Sequence, residues 1–315
     1  MTRVRKILRY FIVAITTVAC LQLGLFLYTH FVSWKCMSSA SSTTNSSPFC
    51  KELGSKQETV PPHWKPLKQK STLITNRTCI QYYSLLILVS SAPANLQRRN
   101  IIRKTWAFES AFKPRWTTVF LVAQSRIQAE SNSLAKEDEV YGDLVRADYY
   151  DHYWNQTLKI QMGFEWATRH CKFSFLLKVD DDVFVNPERV LSFLNEPSTP
   201  KEKLYAGEHR INPRALRDGK WKVTIEEYSE THYPDFCPGL GFVLSHDVVV
   251  SFVKAFDFVP YFRLDDVYVG MLANKTGIKI MHNAGFESYP PIMLRCSPHE
   301  GTLVRHGTEG YCLIY

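Results

Sequence analysis

Phe173–Val185, FSFLLKVDDDVFV, sets an apolar run of strand length against three consecutive carboxylates, Asp180, Asp181 and Asp182, then returns at once to apolar residues. Carboxylates crowded between hydrophobic flanks are costly, because like charges repel and burial disfavours each anion. A divalent cation removes that cost, so the segment reads as a central strand ending at a site. On an extended backbone the side chains of Asp180 and Asp182 share a face, so one is expected to hold a hard cation and the other to hydrogen-bond a ligand. A solvated acidic turn is the bland alternative.

Working outward, Ser84–Ser91 (SLLILVSS) and Thr117–Ala123 (TTVFLVA) are further buried-strand candidates, and Leu144–Ala147 is a shorter one. Asn95–Trp106 (NLQRRNIIRKTW) has a helical pattern, and a second helix is predicted with Ile160, Phe164, Ala167 and Cys171 on one face. Strands alternating with helices predict an α/β domain with a mainly parallel sheet, whose ligands bind at the carboxyl ends of the strands. A second acidic pair, Asp265-Asp266, stands in FRLDDVYVGML, where a helix N-cap is the competing explanation. In HYPDFCPGLGFVLS, Gly239 and Gly241 permit a backbone to approach a ligand closely, ahead of the strand GFVLS.

The first 34 residues belong to another regime. Tyr10–Trp34 is 25 residues without Asp, Glu, Lys or Arg, enough as a helix to cross a hydrocarbon layer of about 30 Å. Arg3, Arg5, Lys6 and Arg9 precede it and Lys35 follows, which predicts a cytosolic tail at 1–9, a signal anchor at 10–34, and a chain that otherwise faces a lumen. Those five cations account for most of the net charge of +8. The remaining excess forms no basic stripe, which argues against nucleic acid as a partner. Residues 35–78, rich in Ser, Thr, Pro and Lys, read as a stem, leaving 79–315 as the luminal domain. Sequons at Asn45, Asn76, Asn155 and Asn274 all lie beyond the span, where luminal glycosylation reaches them. Eight widely spaced Cys with no CxxC motif predict disulfides. Seven of them follow the span, so one is expected to be free or to join two chains as a homodimer, at Cys36 or Cys50.

Five ordered motifs carry a family resemblance: RRNIIRKTW (98–106), YGDL with DYYDHYWNQTLK (141–159), KVDDDVFVN (178–186), HYPDFCPGLGFVLS (232–245) and LDDVYVG (264–270). Over about Cys79–His306 the chain resembles the luminal β-1,3-glycosyltransferases, the family of β-1,3-galactosyltransferases and β-1,3-N-acetylglucosaminyltransferases. The short tail, single span and stem are similar to that family's type II Golgi membrane layout. The resemblance implies a GT-A nucleotide-sugar-binding fold and an inverting transfer from a UDP-sugar to a glycan hydroxyl on glycoprotein or glycolipid, assisted by Mn²⁺ or Mg²⁺. It implies Asp182 and His306 as metal ligands, Asp180 and Asp181 as donor contacts, and Asp266 as general base. Arg99, Arg103 and Trp106 are expected to support the nucleotide pocket, with an Arg pair packing a helix on the sheet as the alternative. A neutral surface role is the alternative for His306. Galactose is the favoured sugar, with an N-acetylglucosaminyltransferase and a non-catalytic luminal binding protein as competing functions. Two departures stand out: Asp265 replaces the family's Glu, and the interval from Cys296 to His306 is one residue longer than usual.

Overall fold

The computed structural model describes residues 73, 75, 78–109, 112–288 and 300–306. The expected tail, membrane span and most of the stem lie outside them, as do Asn45, Asn76, Cys36, Cys50 and Cys296. Among the described residues no helix is long and apolar enough to cross a membrane.

β1 (Tyr82–Ser90), β2 (Trp116–Gln124), β3 (Leu144–Tyr150) and β4 (Lys172–Asp180) form the parallel half of a seven-stranded sheet of order β3-β2-β1-β4-β7-β6-β8. β7 (Gly241–Ser245) runs antiparallel to β4 and to β6 (Tyr205–Gly207), and β8 (Ile280–His282) closes the edge parallel to β6. The predicted α/β class and mainly parallel sheet are therefore present. Leu85–Val89 and Leu176–Leu177 are completely buried, as an interior strand covered on both faces requires. One layer of helices comprises α1 (Leu96–Lys104), α2 (Gln128–Tyr141) and α4 (Pro187–Asn195), while α3 (Gln156–His170), α5 (His246–Ala255) and α6 (Asp265–Thr276) pack together in the other. β5 (Val183–Val185), β9 (Phe286–Glu287) and β10 (Val304–His306) make a small separate sheet, order β5-β10-β9.

Several expectations change. α2 escaped the sequence pattern because it is almost wholly polar, burying only Leu134 and Glu137. β3 continues three residues past Ala147 to Tyr150. Ile160, Phe164 and Ala167 do share the buried face of α3, but Cys171 lies beyond the helix as its extended cap, joined in a disulfide to Cys79. Cys237, buried beneath β6, is free, while Cys36 and Cys50, where a free cysteine was expected, lie outside the described residues. Asn155 is buried, and its amide donates to the Tyr150 carbonyl at 3.1 Å. The folded domain thus turns this sequon inward, whereas Asn274 is exposed on α6.

Gly270, midway along α6, lets the helix press against the segment that enters β7. A Cβ there would lie 2.5 Å from the Asp235 carbonyl oxygen and 2.8 Å from Phe236 Cβ. Helix propensity alone would make Gly270→Ala stabilising, but the clash is with backbone that cannot retreat. Gly270→Ala is expected to lower stability by about 1–3 kcal/mol, read as a lower thermal midpoint, and an unchanged or raised midpoint would contradict this packing.

Candidate active site

Parallel strands deliver their carboxyl ends to one edge of the sheet, and the three carboxylates of the opening motif sit there. β4 ends at Asp180, and Asp181 and Asp182 form a turn into β5. The backbone is therefore not extended through the triplet, and its three side chains take three different sets of partners.

Asp180 accepts from Lys178 Nζ at 2.8 Å. Lys178 is fully buried, and its ammonium also reaches Asp265 Oδ2 at 3.3 Å and the Gly239 carbonyl at 2.9 Å, so its three donors meet three acceptors. Burial alone would lower the pKa of this lysine, but the charges of Asp180 and Asp265 overcome that and hold it above the usual lysine range. α6 begins at Asp265, with both acids of the pair in its first turn, and the Asp266 carboxylate accepts from the Val267 amide at 2.8 Å. Asp266 thus satisfies a first-turn amide as a helix-start acid does, whereas Asp265 turns to Lys178, so capping accounts for one acid of the pair and not the other. Desolvation, then the neighbouring charge of Asp265, pushes Asp266 up to about 7. Asp180 is pushed the same way, first by desolvation and then by Asp265 and Asp182 against the pull of Lys178.

Asp181 is buried and takes three donors: Ser91 Oγ at 2.6 Å, Asn95 Nδ2 at 2.9 Å and Arg98 Nη1 at 2.9 Å. That set fixes the start of α1 against β4. Arg99 reaches the site only through Ser91, donating to its hydroxyl at 2.9 Å, and otherwise forms a fully buried pair with Glu137. Arg103 bonds Asp143 and Glu137 and lies 4.0 Å over the Tyr141 ring. Trp106 is buried in the core beneath α1. Arg103 and Trp106 thus hold α1 and α2 on the sheet, the packing alternative, and are not brought to the carboxylates. Arg98, absent from the expected site, is half exposed and also approaches Asp182 at 3.8 Å.

His306 arrives by strand pairing. β10 runs antiparallel to β5 with His306 opposite Val183, which sets His306 Nε2 3.8 Å from Asp182 Oδ1. Among the described residues no three His, Cys, Asp or Glu converge closely enough to hold a metal ion alone. One carboxylate and one imidazole suit an ion that takes its other ligands from phosphate and water, as Mn²⁺ or Mg²⁺ does on a nucleotide. Gly239 lies at the site, 3.5 Å from Asp180 Oδ2 by its Cβ position. Gly241 does not: it is inside β7, and its missing side chain makes room for Val179 and the Lys178 carbonyl. Tyr153, whose hydroxyl feels the charge of Asp265, and Trp221, which donates to that hydroxyl, were also missed.

An α/β domain with a mainly parallel sheet binds its ligands at the carboxyl ends of the strands, where these carboxylates lie. The galactosyltransferase family profile matches residues 97–284, well over half of the chain. This chain belongs to that family. Beta-1,3-galactosyltransferase 1 of Mus musculus and of Homo sapiens are each 33% identical over 209 residues, covering 65% of this chain and 64% of theirs. Beta-1,3-galactosyltransferase 5 of Pan paniscus is 34% identical over 200 residues, covering 62% of this chain and 66% of its own. The chain thus matches just under two thirds of the length of these relatives. Among solved structures, the galactosyltransferase LgtC with donor and acceptor sugar analogues aligns over 71% of this chain and 87% of its own, at a TM-score of 0.38 and 11% identity, a likeness too loose to decide anything further.

The raised proton affinity of Asp266 has a measurable sign. A carboxyl whose folded pKa lies above its unfolded value binds more protons when folded, so its contribution to stability is present at low pH and is lost as pH rises through the folded value. With chelator present, wild-type stability relative to Asp266→Asn is expected to fall as pH rises from about 4 to about 7, in paired thermal melts. A difference that is flat or rises with pH would show that Asp266 is not held toward its neutral form.

Proposed function

We propose that this chain is an inverting β-1,3-galactosyltransferase on a GT-A fold, moving galactose from UDP-galactose to a sugar hydroxyl. The observation that supports it most directly is Asp266: a carboxylate at a helix start, with raised proton affinity, beside the acid-lined end of β4. Its context matches the family's acidic motif.

In this reading Asp266 accepts the proton of the acceptor hydroxyl as the hydroxyl oxygen attacks the anomeric carbon. The bond from that carbon to the UDP oxygen breaks on the opposite face, so one displacement turns an α-linked donor into a β-glycoside. A proton affinity near neutrality suits the role, because a base is most effective when its pKa lies near the working pH. Lys178 does not act on substrate; it holds Asp180 and Asp265 in place and keeps Asp266 from facing their full charge. Asp182 and His306 are the residues to hold Mn²⁺ or Mg²⁺, which when bound would offset the negative charge that grows on the departing diphosphate. Asp180 contacts the donor sugar or ribose, and Arg98 stands where it meets the same ligand. The protein is read as a type II Golgi membrane protein, its anchor at 10–34, acting on glycoprotein or glycolipid.

Full-length protein in detergent, given Mn²⁺, UDP-galactose and simple β-glycosides, is expected to release UDP in an acceptor-stimulated manner that chelator abolishes. Asp266→Asn should lower that rate by about 10²–10⁴-fold, the usual contribution of a positioned base, while UDP binding by titration calorimetry is retained. Transfer persisting at the wild-type rate in Asp266→Asn would remove Asp266 from the role.

A further inference from the structure

We propose that Tyr153 and Trp221 form a platform for the acceptor: the ring of a terminal sugar lies on the exposed indole of Trp221, with its hydroxyls turned toward Asp265 and Asp266. This rests on the reading of the chain as a transferase with Asp266 as base.

The two aromatics come from distant parts of the sequence and meet at one point. Tyr153 opens the 3-10 turn Tyr153–Asn155 after β3, while Trp221 belongs to the long irregular connection between β6 and β7. The indole Nε1 of Trp221 donates to the Tyr153 hydroxyl at 2.8 Å, and Lys220 Nζ lies 4.5 Å from the Tyr153 ring centre and 5.4 Å from that of Trp221. At those distances the ammonium is attracted to the electron-rich faces of both rings. Trp221 is 44% exposed. An indole left in water has apolar surface to cover, and its negative face attracts the polarised C–H groups of a pyranose ring.

The platform is fixed relative to the candidate base. Tyr153 packs edge-on against buried Trp154, with ring centres 4.9 Å apart. The guanidinium of Arg263, two residues before Asp265, lies 4.3 Å over the Trp154 ring. Arg263 also donates to Glu227 at 2.8 Å in the connection that carries Trp221. Arg217 holds that connection together by donating to the carbonyls of Tyr228 at 2.9 Å and Glu230 at 2.7 Å.

Electrostatics agrees with this placement. Burial pushes the Tyr153 phenol up to about 12, and the charges of Asp265, Asp180 and Asp266 add to it against the Trp221 hydrogen bond. The phenol therefore keeps its proton. With its oxygen already accepting from Trp221, its own O–H remains to donate to a ligand hydroxyl. Asp182 and His306 come from the turn between β4 and β5 and from β10, whereas Tyr153 is tied through Trp154 and Arg263 to the segment that leads into α6. An in-line displacement places the attacking hydroxyl and the departing diphosphate on opposite faces of the reacting carbon.

The test compares wild type, Trp221→Ala, Trp221→Phe and Tyr153→Phe as full-length proteins in detergent. Three readouts are taken: the acceptor KM with the methyl β-glycoside that wild type turns over, UDP affinity by calorimetry, and saturation-transfer NMR signals of methyl β-galactoside, N-acetylglucosaminide and N-acetylgalactosaminide. Trp221→Ala is expected to raise the acceptor KM about tenfold, equivalent to about 1.4 kcal/mol, and to lose the NMR signal with UDP affinity unchanged. Trp221→Phe should restore most of the loss, and Tyr153→Phe should raise the acceptor KM without lowering the melting temperature. A fall in UDP affinity in Trp221→Ala with the acceptor KM unchanged would assign the indole to the nucleotide and overturn the proposal. So would wild-type values throughout. If wild type binds a glycoside at Trp221 yet transfers nothing, the platform stands and the transferase reading fails.

Discussion

The end of β4 has to hold Asp180, Asp182, Asp265 and Asp266 close together in a largely apolar domain, and the buried ammonium of Lys178 is what makes that tolerable. Removing one partner from a buried charge cluster leaves the others uncompensated, which is far costlier than losing an exposed ion pair. Lys178 is tied by three contacts to three separate segments: the end of β4, the Gly239 turn before β7, and the first turn of α6. The relative positions of those segments define the site. Charge compensation and geometry are thus the same feature, and no substitution at this lysine can alter one without the other.

A second charge network does comparable work one layer away. Glu137 is buried on α2 between Arg99 and Arg103 of α1; desolvation would raise its pKa, yet the hydrogen bonds from the two arginines prevail and keep it ionised. Arg99 extends this network to Ser91 and through it to Asp181, so the packing of α1 and α2 is continuous with the first layer of the site. Arg99 acts on the candidate active site through the hydroxyl of Ser91 and the carbonyls of Ala92 and Pro93 just after β1, which explains how a motif can flank a site without touching ligand.

How much could be read from sequence depended on what each element spends its residues on. β1, β2 and β4 are covered on both faces, so they appear as largely apolar runs of strand length. α2 presents two buried side chains, one of them Glu137, and leaves no apolar period to detect. Lys178 was a signal in plain view: a lysine inside a run that is otherwise strand core must find acids, and the adjacent acids supply them. The acidic triplet was legible as a candidate site with a turn as its alternative, but strand alternation says nothing about where a strand stops, so the extended backbone expected through it was not found. Tyr153 and Trp221 were not legible, because 68 residues separate them and only the tertiary fold brings them together.

His306 shows where the structure carries more than family likeness can. The family profile ends at residue 284, and His306 lies beyond it at an interval from Cys296 that is one residue too long for the motif. Spacing along the chain is not what positions the side chain, however. β10 pairs with β5 in a register that sets Val304 opposite Val185 and His306 opposite Val183. Val183, Val185 and Val304 are all completely buried. A slip of one residue would take Val304 from its buried place and pull Arg305, itself buried, away from Glu287, so these contacts fix the register and the register fixes His306. The imidazole arrives beside Asp182 through the pairing of β10 with β5, so its place is set by strand register and not by the interval from Cys296.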